Sequence, residues 1–116
     1  TNYDNAAELD FDAEKTNDLW PGATDIYKVT IDADDYGKRM ILTLKSDGNP
    51  DIILKLWPED RSELADSAWD EEEGMLEITS APLGEDVKNY LVTVDGSGLD
   101  KIVAYAVKVV VEEPAS

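Results

Sequence analysis

The stretch GATDIYKVTID, residues 22–32, sets the terms on which the rest of the chain is read. Tyr27, Val29 and Ile31 fall on one side of an extended backbone, and Lys28, Thr30 and Asp32 fall on the other. Alternation with a period of two predicts a strand that buries one face. Asp25 stands at the mouth of this strand, where it either ends a loop or holds a ligand.

The same period recurs along the chain and no long helical stripe competes with it. RMILTLK sets Met40, Leu42 and Leu44 against Ile41, Thr43 and Lys45. DIILKLW groups Ile52, Leu54 and Leu56, with Ile53, Lys55 and Trp57 opposite. Leu76 with Ile78, then Tyr90 with Val92 and Val94, repeat the pattern. The last strand carries Val103, Tyr105, Val107, Val109 and Val111 on one face. Turn residues punctuate the runs: DDYG at 34–37, SDGNP at 46–50 and DGSG at 95–98. Six strands, with a short seventh near 63–67, predict an all-β fold, an antiparallel β-sandwich. DADDYG, residues 32–37, lacks the spacing and closing glutamate of an EF-hand and is expected to make a hairpin turn.

At 116 residues the chain is expected to form a single sandwich domain, 1–116. The acidic segment 1–23 is expected to pack on it as an edge strand or a helical turn. Residues 112–116 (EEPAS) read as a linker-like tail, and a start at Thr1 suits a processed protein or an excised domain. There are 27 acidic and 10 basic residues, a net charge of −17. Such a surface repels phosphate backbones and anionic membranes, so nucleic acid is not an expected partner. No apolar run reaches the length of a membrane span, and no membrane insertion is expected. With no histidine and no cysteine, neither a Ser-His triad nor a thiolate nucleophile can be built, and no enzyme is expected.

The order of motifs resembles the bacterial pre-peptidase C-terminal domain, a jelly-roll accessory domain of secreted proteases, and is similar to the collagen-binding domains of clostridial collagenases. The resemblance rests on YDNAAEL near the start, TDIYKVTI, PDIILKLW, ELADSAWDEEEG, NYLVTVDG and AYAVKVVV, in that order. Ala23 stands where many relatives have a first aspartate, and LGEDVKNY replaces a shorter entry to the penultimate strand.

That likeness implies a jelly-roll-like sandwich and a non-catalytic accessory domain of a secreted or cell-surface protein, such as a protease or other exported hydrolase. It would act in cis on its parent domain, stabilising it outside the cell. The resemblance also implies calcium, held by Asp4, Asn5 and Asp25 with Asp10 or Asp12 as helpers, since a hard cation takes oxygen ligands. A different class of reading is a binding module for carbohydrate or protein, with an extracellular polysaccharide or protein polymer as partner. Its candidate contacts are the aromatic residues Tyr36, Trp57 and Trp69. Equally, Trp20, Trp57 and Trp69 can plug the ends of the sandwich or cover a half-buried face. A structural repeat of a surface-layer or adhesin protein is the third reading.

Overall fold

The structure, a computed structural model, describes residues 7–46, 52–58, 66–69, 75–80, 82–84 and 88–113, with 66–69 described in its backbone only. Among the described residues there are nine strands: β1 (Ala7–Glu8), β2 (Glu14–Leu19), β3 (Thr24–Thr30), β4 (Arg39–Ser46), β5 (Ile53–Pro58), β6 (Asp66–Trp69), β7 (Met75–Thr79), β8 (Asn89–Asp95) and β9 (Val103–Glu112). They form a five-stranded sheet in the order β1-β3-β8-β5-β6 and a four-stranded sheet in the order β2-β9-β4-β7. All neighbours are antiparallel except β1, which runs parallel to β3.

Only β5 and β6 are consecutive strands of one sheet; every other connection passes from one sheet to the other. Strands β2 to β9 thereby wind as a jelly roll. This overturns the hairpin expected at 32–37. Because β3 and β4 lie in different sheets, the chain turns a corner there instead. Ala33–Asp35 makes a single 3-10 turn, and Asp35 Oδ2 accepts a hydrogen bond from the Asp32 amide at 3.1 Å. Gly37 follows at φ 86°, a left-handed conformation natural to glycine, and its amide donates to the Leu83 carbonyl at 2.7 Å.

The core is the meeting of the two inner faces. The five-stranded sheet supplies Tyr27, Val29, Leu54, Leu56, Val92 and Val94. The four-stranded sheet answers with Met40, Leu42, Leu44, Leu76, Ile78, Val103, Tyr105, Val107 and Val109. These are the inward sets that alternation predicted, because a strand exposes successive side chains to opposite faces. Burying one leucine of this set stabilises the fold by about 2 kcal/mol.

The described part of the N-terminal segment takes the edge-strand alternative. β2 pairs along its whole length with β9, from Glu14–Lys108 to Leu19–Val103. Lys15 and Asn17 have the inward parity of Leu19, so only Leu19 reaches the core, where it is fully buried. An inward lysine on an edge strand also discourages pairing with a further chain. The short strand expected near 63–67 lies at Asp66–Trp69, so Trp69 is in a strand, in register with Ile53. β9 runs to Glu112, which pairs with Arg39, so the ladder takes in the first residue of the expected tail; residues 114–116 lie outside the described residues. Among the described residues no helix is long and apolar enough to cross a membrane.

Candidate functional site

Asp25, Tyr27 and Val29 share the inward face of β3, and Tyr105 sits on the inward face of β9 in the opposite sheet. Both tyrosines are buried, and a buried tyrosine needs a partner for its hydroxyl. They find each other. The Tyr27 and Tyr105 hydroxyls are in hydrogen-bond contact across the sandwich. The Tyr105 hydroxyl donates to Asp25 Oδ2 at 2.7 Å. With its only hydrogen committed there, Tyr105 accepts from Tyr27. Asn17 on β2 donates its side-chain amide to the same Asp25 oxygen at 3.3 Å.

The result is a four-residue clasp, Tyr27 to Tyr105 to Asp25, with Asn17 joining at the rim. It ties β3 to β2 and β9 and so links the two sheets. Burial pushes the Tyr105 hydroxyl far above the usual tyrosine range, and its bonds to Tyr27 and Asp25 act in the same direction. Burial likewise raises Tyr27. Both phenols are therefore neutral donors at any physiological pH, suited to holding a carboxylate and unsuited to acting as bases.

This places Asp25 alone of the three expected metal ligands. Asp4 and Asn5 lie outside the described residues. Asp10 and Asp12 are exposed on the segment between β1 and β2, with Asp12 in the left-handed region at φ 65°. Among the described residues no three acidic side chains converge as metal ligands would. Since one Asp25 oxygen already takes two donors, the described residues by themselves do not fit a calcium shell.

The aromatic candidates are scattered. Tyr36 is partly exposed at the end of the 3-10 turn. Trp57 lies on the outer face of β5, half-buried, and its indole nitrogen donates to Thr93 Oγ1 on β8 at 3.1 Å. Lys55 Nζ stands 5.9 Å from the centre of the Trp57 ring. Trp69 ends β6, the edge strand of the five-stranded sheet.

Sequence reading missed Tyr105 and Asn17 as site residues. For Tyr105 a signal was present: two tyrosines at core parity, each with a hydroxyl to satisfy. Their meeting depends on how β3 faces β9, which alternation does not encode.

No protein-family model matches the chain, and no curated protein matches it in sequence. Solved structures do. The chain is similar to the pre-peptidase C-terminal domain of a collagenase from Bacillus anthracis, with a TM-score of 0.71 and 15% identity over 90% of this chain and 93% of that one. It is also similar to PliG of Aeromonas hydrophila, a periplasmic inhibitor of g-type lysozyme (TM-score 0.58, 12% identity, 92% and 97% covered). Salmonella Typhimurium PliG matches at a TM-score of 0.52 and 15% identity, with 92% and 100% covered. The resemblance expected from the order of motifs thus reappears in three dimensions: this chain has the fold of the pre-peptidase C-terminal domain.

Proposed function

We propose that the chain is a non-catalytic accessory domain of an exported protein, joined in cis to a catalytic or surface domain that it stabilises and holds near a polymeric substrate. The observation that carries this reading is the clasp. It is a polar group that the fold brings together at the sheet interface, and both of its phenol hydroxyls are engaged within it. A catalytic site needs a group left free to exchange a proton or attack. The fold likeness to a collagenase's appended domain and to small periplasmic inhibitors supports the same view, as does a sequence without histidine or cysteine.

The test uses the parent polypeptide with and without this domain. Deletion should leave turnover of a small soluble substrate within about twofold while lowering the parent's melting temperature or its rate on polymer. Loss of turnover on the small substrate would place catalysis here and end the proposal.

Calcium forms a separate arm, because it requires Asp4 and Asn5 to reach Asp25. If they do, a chelator should lower the melting temperature of the 116-residue chain, and Asp25→Ala should remove that dependence. Identical melting with calcium and with chelator would exclude the metal.

A further inference from the structure

The outer face of the four-stranded sheet carries a feature that the clasp does not explain. At one end, Trp20 is 60% exposed and Ile102 46% exposed. They lie one step beyond the last ladder pair of β2 and β9, Leu19–Val103. Exposed large apolar side chains gathered at one place signal an interaction surface.

The corner that presents Trp20 is firmly built. The Ala23 amide donates to the Trp20 carbonyl at 3.0 Å, Pro21 takes the second turn position, and Gly22 the third at φ 79°, which is a type II turn. Gly22 donates to the Gly96 carbonyl at 3.0 Å and Gly96 donates to the Ala23 carbonyl at 2.8 Å, stitching this turn to the β8–β9 loop. Beneath it Gly96 packs so closely on Leu19 that a Cβ would come within 2.8 Å of that side chain. An aromatic side chain on a rigid corner loses little backbone entropy when it binds.

Beside the corner lies an open depression of about 650 Å3. Ala104 and Ala106 of β9 are at its floor, with Thr16 and Asp18 on one flank and Lys45 on the other. A second depression on the same face shares Lys45 and Ala106 with the first and continues past Lys108 and Glu77 to Met75. Two depressions that share residues make one trough, of a shape suited to an extended chain more than to a small molecule, and Trp20 stands one outward position beyond Asp18, past its end.

The chemistry of the trough selects its occupant. Glu14, Asp18 and Glu77 can accept hydrogen bonds while Lys45 and Lys108 can donate them, and none of the five has an ion-pair partner among the described residues. Carboxylates along the trough oppose an acidic polymer, and ammonium groups oppose a basic one. Hydroxyl groups of a neutral sugar satisfy both kinds of partner. The face of an indole, negative in its quadrupole, accepts the axial C–H surface of a pyranose ring.

We infer that this trough, headed by Trp20, binds a neutral polysaccharide lying along the outer face of β2, β9, β4 and β7. The inference rests on the accessory-domain reading and names the polymer class and the surface that would serve it.

The test is retention of the 116-residue chain on microcrystalline cellulose, chitin, insoluble xylan and curdlan, with polygalacturonate and gelatin as charged and protein alternatives. The wild-type chain should be retained on at least one of the four neutral polymers. Trp20→Ala and Ala104→Arg, the second filling the floor from an exposed position, should each weaken retention about tenfold or more with the fold intact by circular dichroism. Trp57→Ala, on the opposite face, should bind as wild type. Retention on none of the four neutral polymers overturns the inference, as does retention confined to polygalacturonate or gelatin. Binding that survives both trough variants, or that Trp57→Ala abolishes, overturns it as well. A blank result here leaves the accessory role standing, because that role is read from the parent's stability and turnover.

Discussion

Trp57 on the outer face of the five-stranded sheet and Trp20 on that of the four-stranded sheet are treated in opposite ways. On the five-stranded sheet, Trp57 lies across to β8, where its indole nitrogen bonds Thr93. Leu91 and Thr93, both on the outward face of that strand, are left only 3% and 6% exposed. Leu91 belongs to no part of the inter-sheet core; it is covered on the solvent side, with Trp57 and Lys28 as its ladder neighbours. On the four-stranded sheet β9 presents Ile102 in the row beside Trp20 and Ala104 in the next, and neither side chain offers an acceptor to the indole nitrogen. Trp20 stays in water. One face is closed by its own side chains, the other is open, and the cross-strand neighbour makes the difference.

The largest expected effect falls on the corner that the open face depends on. Gly96→Val would drive a branched side chain into Leu19 and Leu99, whose atoms lie 2.8 and 3.0 Å from the site of a Cβ. A loss of about 3 kcal/mol is expected in denaturant unfolding. Melting unchanged within error would mean that the corner is not held as described.

Closing the other face should matter next. Trp57→Ala uncovers Leu91 and leaves the Thr93 hydroxyl without its indole donor, so a loss of about 2 kcal/mol is expected. A neutral substitution would show that the closed face is closed by something else.

The clasp between the sheets should respond at about the same scale. Tyr105→Phe removes the donor to Asp25 and the acceptor for Tyr27 together, at a cost of about 1 to 2 kcal/mol. The same pair sets a pH dependence. Burial holds both tyrosines protonated in the folded chain. Their contribution is whole below about pH 10, where the unfolded chain keeps its tyrosines protonated too. Above that the unfolded chain releases protons that the folded chain retains, so stability falls as pH rises. A chain carrying both Tyr27→Phe and Tyr105→Phe should show a shallower fall in urea unfolding between about pH 9 and 11.

The smallest effect belongs to Trp20→Ala. An exposed side chain with no hydrogen bond should change stability by no more than about 0.5 kcal/mol. A cost near that of Trp57→Ala would mean that Trp20 is structural and would erase the contrast between the faces.

Much of the scaffold was legible because alternation is a local signal. Tyr27, Val29, Met40, Leu42, Leu44, Leu54, Leu56, Val92, Val107 and Val109 all point inward as their parity requires. β2 was the harder strand. EKTNDL offers a single apolar residue, since its inward positions Lys15 and Asn17 face the rim at an edge and not the core. The corner at 32–37 was misread for another reason: turn residues mark a reversal of the chain but do not say whether the next strand joins the same sheet.

Taken alone, the amino-acid order determined most of the strands and the face they bury, the net negative charge and the lack of any residue able to act as an imidazole base or thiolate. Those properties depend on side-chain chemistry and a period of two, both carried within a few residues. Only the tertiary structure decided that Asp25 answers to Tyr105, eighty positions away, and that Trp57 is half-buried beside Leu91 while Trp20 is exposed. Such facts depend on which strands become neighbours and which sheets face each other, and that is settled by long-range packing of the whole core.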